Sequence, residues 1–132
     1  MVYKLSGFSR NLRKEVSKNH RYYFYDNGIR NAIIGNLNPL EMRDDTGTLW
    51  ENYIIMERIK KQEYLQVVAN NYFWRTYDQK EIDLIEEREG RLYGYEIKWK
   101  KTKARPPKDW LATYKNATYE VITRENYLEF II

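Results

Sequence analysis

The sequence predicts an α/β (α+β) fold, with an αβββαβ core in which a central mixed sheet is flanked by helices. Apolar residues recur at helical spacing from about Thr48 to Lys61, which is typical of a helix packed on a core. Strand-like segments rich in aromatic and β-branched residues follow it at 72–77, 81–87 and 91–99. The last two are separated by only a few residues that end in glycine, which favours a tight hairpin.

The remaining elements follow from turn and helix-start signals. Pro106 and Pro107 introduce a predicted helix at about 108–115, because proline is accepted in a first helical turn. The chain is expected to finish with strands or an extended tail at 118–123 and 127–132. We assign residues 46–132 to the core domain and residues 1–45 to an N-terminal extension or linker packed on it. Within that extension the predictions are strands at 2–5 and 21–25, a short helix at 29–34 and a loop at 36–45.

Composition excludes several classes of protein. The 132 residues are enough for one domain. They contain no cysteine, so disulfides and thiolate metal sites are excluded. The start lacks the layout of a signal peptide, and no apolar run approaches membrane-spanning length, so a cytoplasmic location is expected. The net charge of +4, with a pI near 9.1, suits a phosphate-bearing partner without identifying one.

A candidate metal site lies on the predicted hairpin. Alternation in segment 91–99 places Glu96 and Lys98 on one face, opposite Tyr95 and Ile97. In 81–87, alternation places Asp83 on one face together with Glu81 and Ile85, and it places Ile82 and Leu84 on the other. The hairpin then brings Asp83 beside Glu96.

These residue types suit metal-assisted hydrolysis. Mg²⁺ takes oxygen ligands, commonly one or two carboxylates completed by water and substrate. A bound metal polarises a phosphoryl oxygen and lowers the pKa of an attacking water. Lys98 would orient that water or stabilise the developing negative charge.

Glu51 is a second, independent signal. It lies on the first helix along an apolar stripe, where a buried carboxylate is costly unless a cation pairs with it. A metal would meet that need, and so would an arginine.

Simpler interpretations stay open. The hairpin acids and Lys98 can form a solvated face, with Asp83 and Lys98 as a cross-strand ion pair. Glu51 can pair with Arg58 or with Lys80 instead of a metal. What favours a shared site is the order of elements: an acid on the first helix, an aspartate on the second strand and Glu-x-Lys on the third.

Four segments carry a family resemblance: Gly47-Thr-Leu-Trp-Glu51-Asn, Tyr72-Phe-Trp-Arg-Thr-Tyr77, Glu81-Ile-Asp-Leu-Ile85 and Tyr95-Glu-Ile-Lys-Trp99. Together with 23–31, they resemble the C-terminal domain of unknown function of bacterial AAA-type ATPases. That family is similar to the PD-(D/E)XK nuclease superfamily, which has the restriction-endonuclease-like fold.

The resemblance implies a role for each site residue. Asp83, Glu96 and the backbone carbonyl of Ile97 would be ligands of Mg²⁺ or Mn²⁺. Lys98 would be the catalytic lysine, and Glu51 the helix acid that supports the metal site. The implied activity is Mg²⁺-dependent hydrolysis of DNA phosphodiester bonds. Glu81 and Gln79 lie nearby in the sequence without a firm role.

The residues and the family resemblance also indicate partners. An ATPase module is expected in the full-length protein, although this chain has no G-x-x-x-x-G-K-[ST] motif. A basic run after the candidate catalytic strand is a candidate DNA-binding surface, and a homodimer is a further expectation. The alternative functions are a non-catalytic nucleic-acid-binding domain and a protein-interaction or regulatory domain of the ATPase. The basic run consists of Lys98, Lys100, Lys101, Lys103, Arg105 and Lys108.

Overall fold

Six strands and three helices make up the part of the chain that the computed structural model describes, residues 2–11, 13–28, 31, 35, 38–39, 44–100 and 103–132. The strands are β1 (Val2–Gly7), β2 (His20–Phe24), β3 (Asn70–Arg75), β4 (Glu81–Arg88), β5 (Arg91–Ile97) and β6 (Ala117–Ile122). The helices are α1 (Thr46–Tyr64), α2 (Lys108–Thr113) and α3 (Tyr127–Ile131).

All six strands join one mixed sheet in the order β2-β1-β3-β4-β5-β6. The β1–β3 and β5–β6 pairs are parallel, and the other neighbours are antiparallel. From α1 to β6 the order of elements is helix, three strands, helix and strand, so the predicted mixed α/β core is confirmed.

Two apolar clusters cover the two faces of the sheet. The larger lies under α1, where Ile54, Ile55 and Ile59 are buried together with Leu84 and Tyr95 of the sheet. Ile55 and Ile59 lie four residues apart with Ile54 adjacent, so the three share one side of α1, which is why the helix lies across this face. On the other face Trp110 of α2 packs edge-on against Trp74 at 5.4 Å between ring centroids, beside Ile82.

The N-terminal hairpin belongs to the same sheet as the core. β1 lies between β2 and β3, so it is an interior strand. β2 is joined to α1 because the side chain of Asn52 forms two hydrogen bonds with the backbone of Phe24, as a neighbouring strand would. The Phe24 backbone N–H donates to Asn52 Oδ1 at 2.8 Å, and Asn52 Nδ2 donates to the Phe24 carbonyl at 2.7 Å.

One predicted element is wrong, and one lies mostly outside the described residues. Segment 127–131 is the short helix α3, where a strand or extended tail was expected. Its contacts with α1 explain this. The guanidinium of Arg58 lies 4.2 Å from the Phe130 ring centroid and donates to the Phe130 carbonyl at 2.8 Å. The predicted helix at 29–34 falls, apart from Asn31, outside the described residues.

No helix in the described ranges combines the length and apolar character that crossing a bilayer requires.

Candidate functional site

The candidate site begins where β4 and β5 stop pairing. Their register runs from Arg88–Arg91 to Leu84–Tyr95 and ends there. Beyond that point the backbone N–H of Ile97 donates to Asp83 Oδ2 at 2.9 Å. A side-chain carboxylate therefore takes the place of a backbone acceptor, and it lies between the two strands.

A β-bulge in β4 turns Asp83 into this position. Tyr72 is paired with Ile85 and Trp74 with Ile82, so Asp83 and Leu84 together face the single residue Phe73. Such a bulge redirects side chains and breaks strict alternation. The predicted alternation of this strand is consequently wrong: Ile82 and Ile85 lie in the cluster under α2, whereas Leu84 lies in the cluster under α1.

Glu51 reaches the site from the first turns of α1. Tyr23 on β2 donates its hydroxyl to Glu51 Oε2 at 2.7 Å. Burial raises the pKa of Glu51, and the neighbouring Asp83 charge raises it further. The Tyr23 hydroxyl and the Arg21 charge oppose that rise without cancelling it. Glu51 is thus a partly desolvated acid on which the negative charge of Asp83 acts.

Glu96 reaches the same point from β5. Burial, followed by a hydrogen bond and charge repulsion from Asp83, raises the pKa of Glu96 well above its usual range. Lys98 opposes the rise, with its Nζ 4.0 Å from Glu96 Oε1. Lys98 itself is half exposed. Asp83 therefore interacts with both Glu51 of α1 and Glu96 of β5. The amine of Lys98 lies beside Glu96.

Arg21 of β2 is the residue that sequence reasoning missed. Its Nη1 donates to Asp83 Oδ1 at 3.1 Å, and its Nη2 lies 3.2 Å from Glu81 Oε2. The guanidinium also lies over the Phe73 ring at 4.7 Å. Burial by itself would lower the pKa of Arg21, but the surrounding groups, including Asp83 and Glu51, outweigh it and raise that pKa. Alternation in segment 21–25 places Arg21 and Tyr23 on one face, and this is the sequence signal that points to Arg21.

The simpler pairings considered from sequence are not the ones observed. Arg58 forms an ion pair with Glu86 at 2.6 Å, and Lys80 lies 3.9 Å from Asp109, so neither was found paired with Glu51. Asp83 pairs with Arg21 across the sheet face.

The three acids do not form a ready-made metal cage. Within the described part of the chain, no three histidine, cysteine, aspartate or glutamate side chains are grouped so as to hold an ion. Magnesium needs only one or two carboxylates beside water and substrate oxygens, so the donor types at this site still suit it. Burial is the largest cause of the raised pKa values of Glu51 and Glu96, and the neighbouring Asp83 adds to it. A cavity of about 250 Å³ opens beside it, lined by Arg21, Tyr23, Thr48 and Glu51 among others.

The remaining predicted residues are Glu81, Gln79 and the basic run. Glu81 pairs with Arg21 and Arg75, and Gln79 lies in a turn with a φ of 66°. Lys101 is outside the described residues. The other members of the basic run after Lys98 are all exposed; they are Lys100, Lys103, Arg105 and Lys108.

Comparison with known proteins places the chain in a family. The family model described as "Domain of unknown function (DUF4143)" matches residues 46–127, well over half of the 132 residues. The chain belongs to the DUF4143 family. The match begins with α1 and covers Glu51, Asp83, Glu96 and Lys98, whereas the β1–β2 hairpin that carries Arg21 lies before it.

The relatives found are themselves uncharacterized. An uncharacterized protein of Mycobacterium bovis and one of Mycobacterium tuberculosis are each 29% identical over 102 residues, 74% of this chain. The chain spans only 22% of the length of each, so this DUF4143 domain corresponds to a small part of those proteins. No solved structure matches the chain.

Proposed function

We propose that this domain is a metal-dependent nuclease that hydrolyses phosphodiester bonds in DNA. The observation that carries the proposal is the position of Asp83, whose carboxylate lies where two strands separate and interacts with both Glu51 and Glu96. Burial and the neighbouring Asp83 raise the pKa of Glu51 and Glu96, and such shifts are common at sites that bind a cation or transfer protons.

Each residue has a role in the proposed reaction. Asp83 and Glu96 would hold Mg²⁺ or Mn²⁺, together with the backbone carbonyl of Ile97, and Glu51 would support them from α1. The metal would polarise the phosphoryl oxygen and lower the pKa of its bound water. Lys98, half exposed and 4.0 Å from Glu96, would orient the attacking water or stabilise the negative charge that develops on the phosphate.

The basic run supports a nucleic-acid substrate. Lys100, Lys103, Arg105 and Lys108 are exposed and follow directly after the strand that carries Glu96 and Lys98. Lysine and arginine side chains bind phosphates without reading sequence, so these residues would position a DNA backbone beside the acids. The same exposed charges favour one alternative, a domain that binds nucleic acid without cutting it. In either case we propose that the domain acts within a longer protein that includes an ATPase module.

Cleavage assays test the proposal directly. Plasmid, linear and branched DNA are incubated with Mg²⁺ or Mn²⁺ and with the wild type, Asp83→Ala or Lys98→Ala. We expect metal-dependent cleavage that falls at least about 100-fold in both variants. Matched controls are Glu63→Ala, at the far end of α1, and Lys115→Ala, which precedes β6 at the end of the sheet away from Ile97. Both controls should cut like the wild type.

The other outcomes separate the alternatives. Salt-sensitive DNA binding without cleavage under any metal would support the non-catalytic function. A protein that neither binds nor cleaves DNA would contradict the nuclease and the DNA-binding function and would favour a protein-interaction or regulatory role.

A further inference from the structure

Arg21 lies against one oxygen of Asp83, the residue proposed as a metal ligand. Of the two Asp83 oxygens, Oδ2 accepts the Ile97 N–H at 2.9 Å and Oδ1 accepts Arg21 Nη1 at 3.1 Å. Both oxygens are therefore engaged, one by a backbone group that the strand fixes and one by a side chain that can move. The Asp83 side chain is only 9% exposed, and the Arg21 guanidinium lies 3.1 Å from its Oδ1.

We propose that Arg21 competes with the divalent cation for Asp83 and, once displaced, binds a phosphate of the substrate. The inference rests on the proposed function, since it assumes that Asp83 is a metal ligand. The charges around Arg21 support it. Asp83, Glu81 and Glu51 surround one guanidinium, which neutralises part of this negative charge while no metal is bound. A divalent cation at Asp83 supplies that positive charge and releases the arginine.

The surroundings of Arg21 fit the second role. Its side chain is 22% exposed and lines the 250 Å³ cavity together with Tyr23 and Glu51, so the guanidinium can reach solvent without unfolding β2. The guanidinium also lies over the Phe73 ring, with its Cζ 4.7 Å from the ring centroid. Guanidinium is the side-chain group best matched to bidentate binding of phosphate oxygens. Arg21 would therefore act as a substrate-positioning residue supplied by the N-terminal hairpin, outside the segment that matches the family model.

The test compares Arg21→Gln with Arg75→Gln. Arg75 also pairs with Glu81, at 3.5 Å, and this ion pair does not involve Asp83, which makes Arg75 a matched control. Mn²⁺ binding to each protein alone is measured from the EPR signal of free Mn²⁺. Binding of a fluorescein-labelled DNA duplex is measured by anisotropy in Ca²⁺. We expect Arg21→Gln to bind Mn²⁺ on the order of tenfold more tightly and DNA on the order of tenfold more weakly than the wild type. Arg75→Gln should match the wild type in both assays.

The other possible results would each refute the competition for Asp83, the phosphate role or the metal site. Equal or weaker Mn²⁺ binding by Arg21→Gln refutes the competition and leaves the metal site standing. Tighter Mn²⁺ binding with unchanged DNA affinity refutes the phosphate role. If none of the proteins binds Mn²⁺, the proposed metal site and this inference both fail.

A second variant keeps the test decisive if Arg21→Gln does not fold, as judged by circular dichroism. Arg21→Lys keeps the charge, but an ammonium group cannot bridge Asp83 and Glu81 as the planar guanidinium does. We expect Mn²⁺ affinity to rise roughly threefold in this variant. An affinity equal to that of the wild type would overturn the competition.

Discussion

The carboxylate of Asp83 accepts the backbone N–H of Ile97 at the point where β4 and β5 separate. This contact joins the two strands through a side chain instead of a backbone ladder. It places Asp83 between the two strands, where it acts on both Glu51 of α1 and Glu96 of β5. The acid cluster is therefore a consequence of how the hairpin ends.

Glu96→Gln should change how stability depends on pH. The pKa of Glu96 is raised to about 9 in the folded protein, so the folded state favours its protonated form. This contribution is complete below the usual glutamate pKa and is lost as pH rises between roughly 5 and 9. In urea unfolding without metal, Glu96→Gln should therefore gain stability relative to the wild type as pH rises, by about 1–3 kcal/mol at pH 9. The exposed Glu63→Gln serves as control. If the stability difference between Glu96→Gln and the wild type stayed constant from about pH 5 to pH 9, the expectation would be contradicted.

Arg58→Leu should destabilise the fold strongly. Arg58 donates to both oxygens of Glu86, at 2.6 and 2.9 Å, and Glu86 is fully buried. Removing Arg58 takes away two charge-assisted hydrogen bonds and leaves the buried carboxylate with Arg88, 3.1 Å away, so we expect a loss of about 2–4 kcal/mol. The control is Lys60→Leu, because Lys60 pairs with Glu57 at the surface and the loss should stay below about 1 kcal/mol. Urea unfolding measures the free energy of unfolding of both variants. Equal losses would show that the buried ion pair contributes no more stability than the surface pair.

Glu15→Gln should loosen the segment that precedes β2. Glu15 is 3% exposed, and its carboxylate accepts hydrogen bonds from the Arg10 and Asn11 backbone, from Trp74 Nε1 and from the Tyr114 hydroxyl. An amide replaces one acceptor with a donor that faces other donors, so we expect a loss of about 1–3 kcal/mol in thermal or urea unfolding. Faster hydrogen exchange of the Arg10 and Asn11 amides should accompany it. Unchanged exchange there would show that the carboxylate does not hold the segment.

Two glycine substitutions should act with opposite signs. A Cβ at Gly94 would lie 3.2 Å from the Thr118 carbonyl oxygen and 3.2 Å from Trp110 Nε1, so Gly94→Ala should cost about 1–3 kcal/mol through overpacking. A Cβ at Gly47, in the first turn of α1, meets nothing within 4 Å. Gly47→Ala should stabilise by up to about 1 kcal/mol, because alanine favours helix. Thermal unfolding compares the two, and a neutral Gly94→Ala would mean that α2 can move away from β5.

Much of the fold could be predicted because the relevant signals are local. Helical spacing of apolar residues marks α1, and the closely spaced β4 and β5 segments mark the hairpin. The C-terminal segment was wrongly expected to be extended. Its helix depends on Arg58, more than seventy positions away, and a contact of that range has no local signature.

The candidate site was predictable only in part. The residue types and their order on helix and strands could be read from the sequence, and these named Glu51, Asp83, Glu96 and Lys98. Arg21 could not be placed there, because its neighbours come from a hairpin whose position in the sheet depends on β1 pairing with β3 across a long stretch of chain.

By itself, the sequence determined the class of fold, the order of the core elements and the acids and lysine available for chemistry, because periodicity and residue type are local properties. Only the tertiary structure decided how those groups meet. The bulge in β4 turned Asp83 between the strands, and the N-terminal hairpin brought Arg21 and Tyr23 to it. Both depend on pairings between distant segments, whose register is set by the packing of the whole sheet.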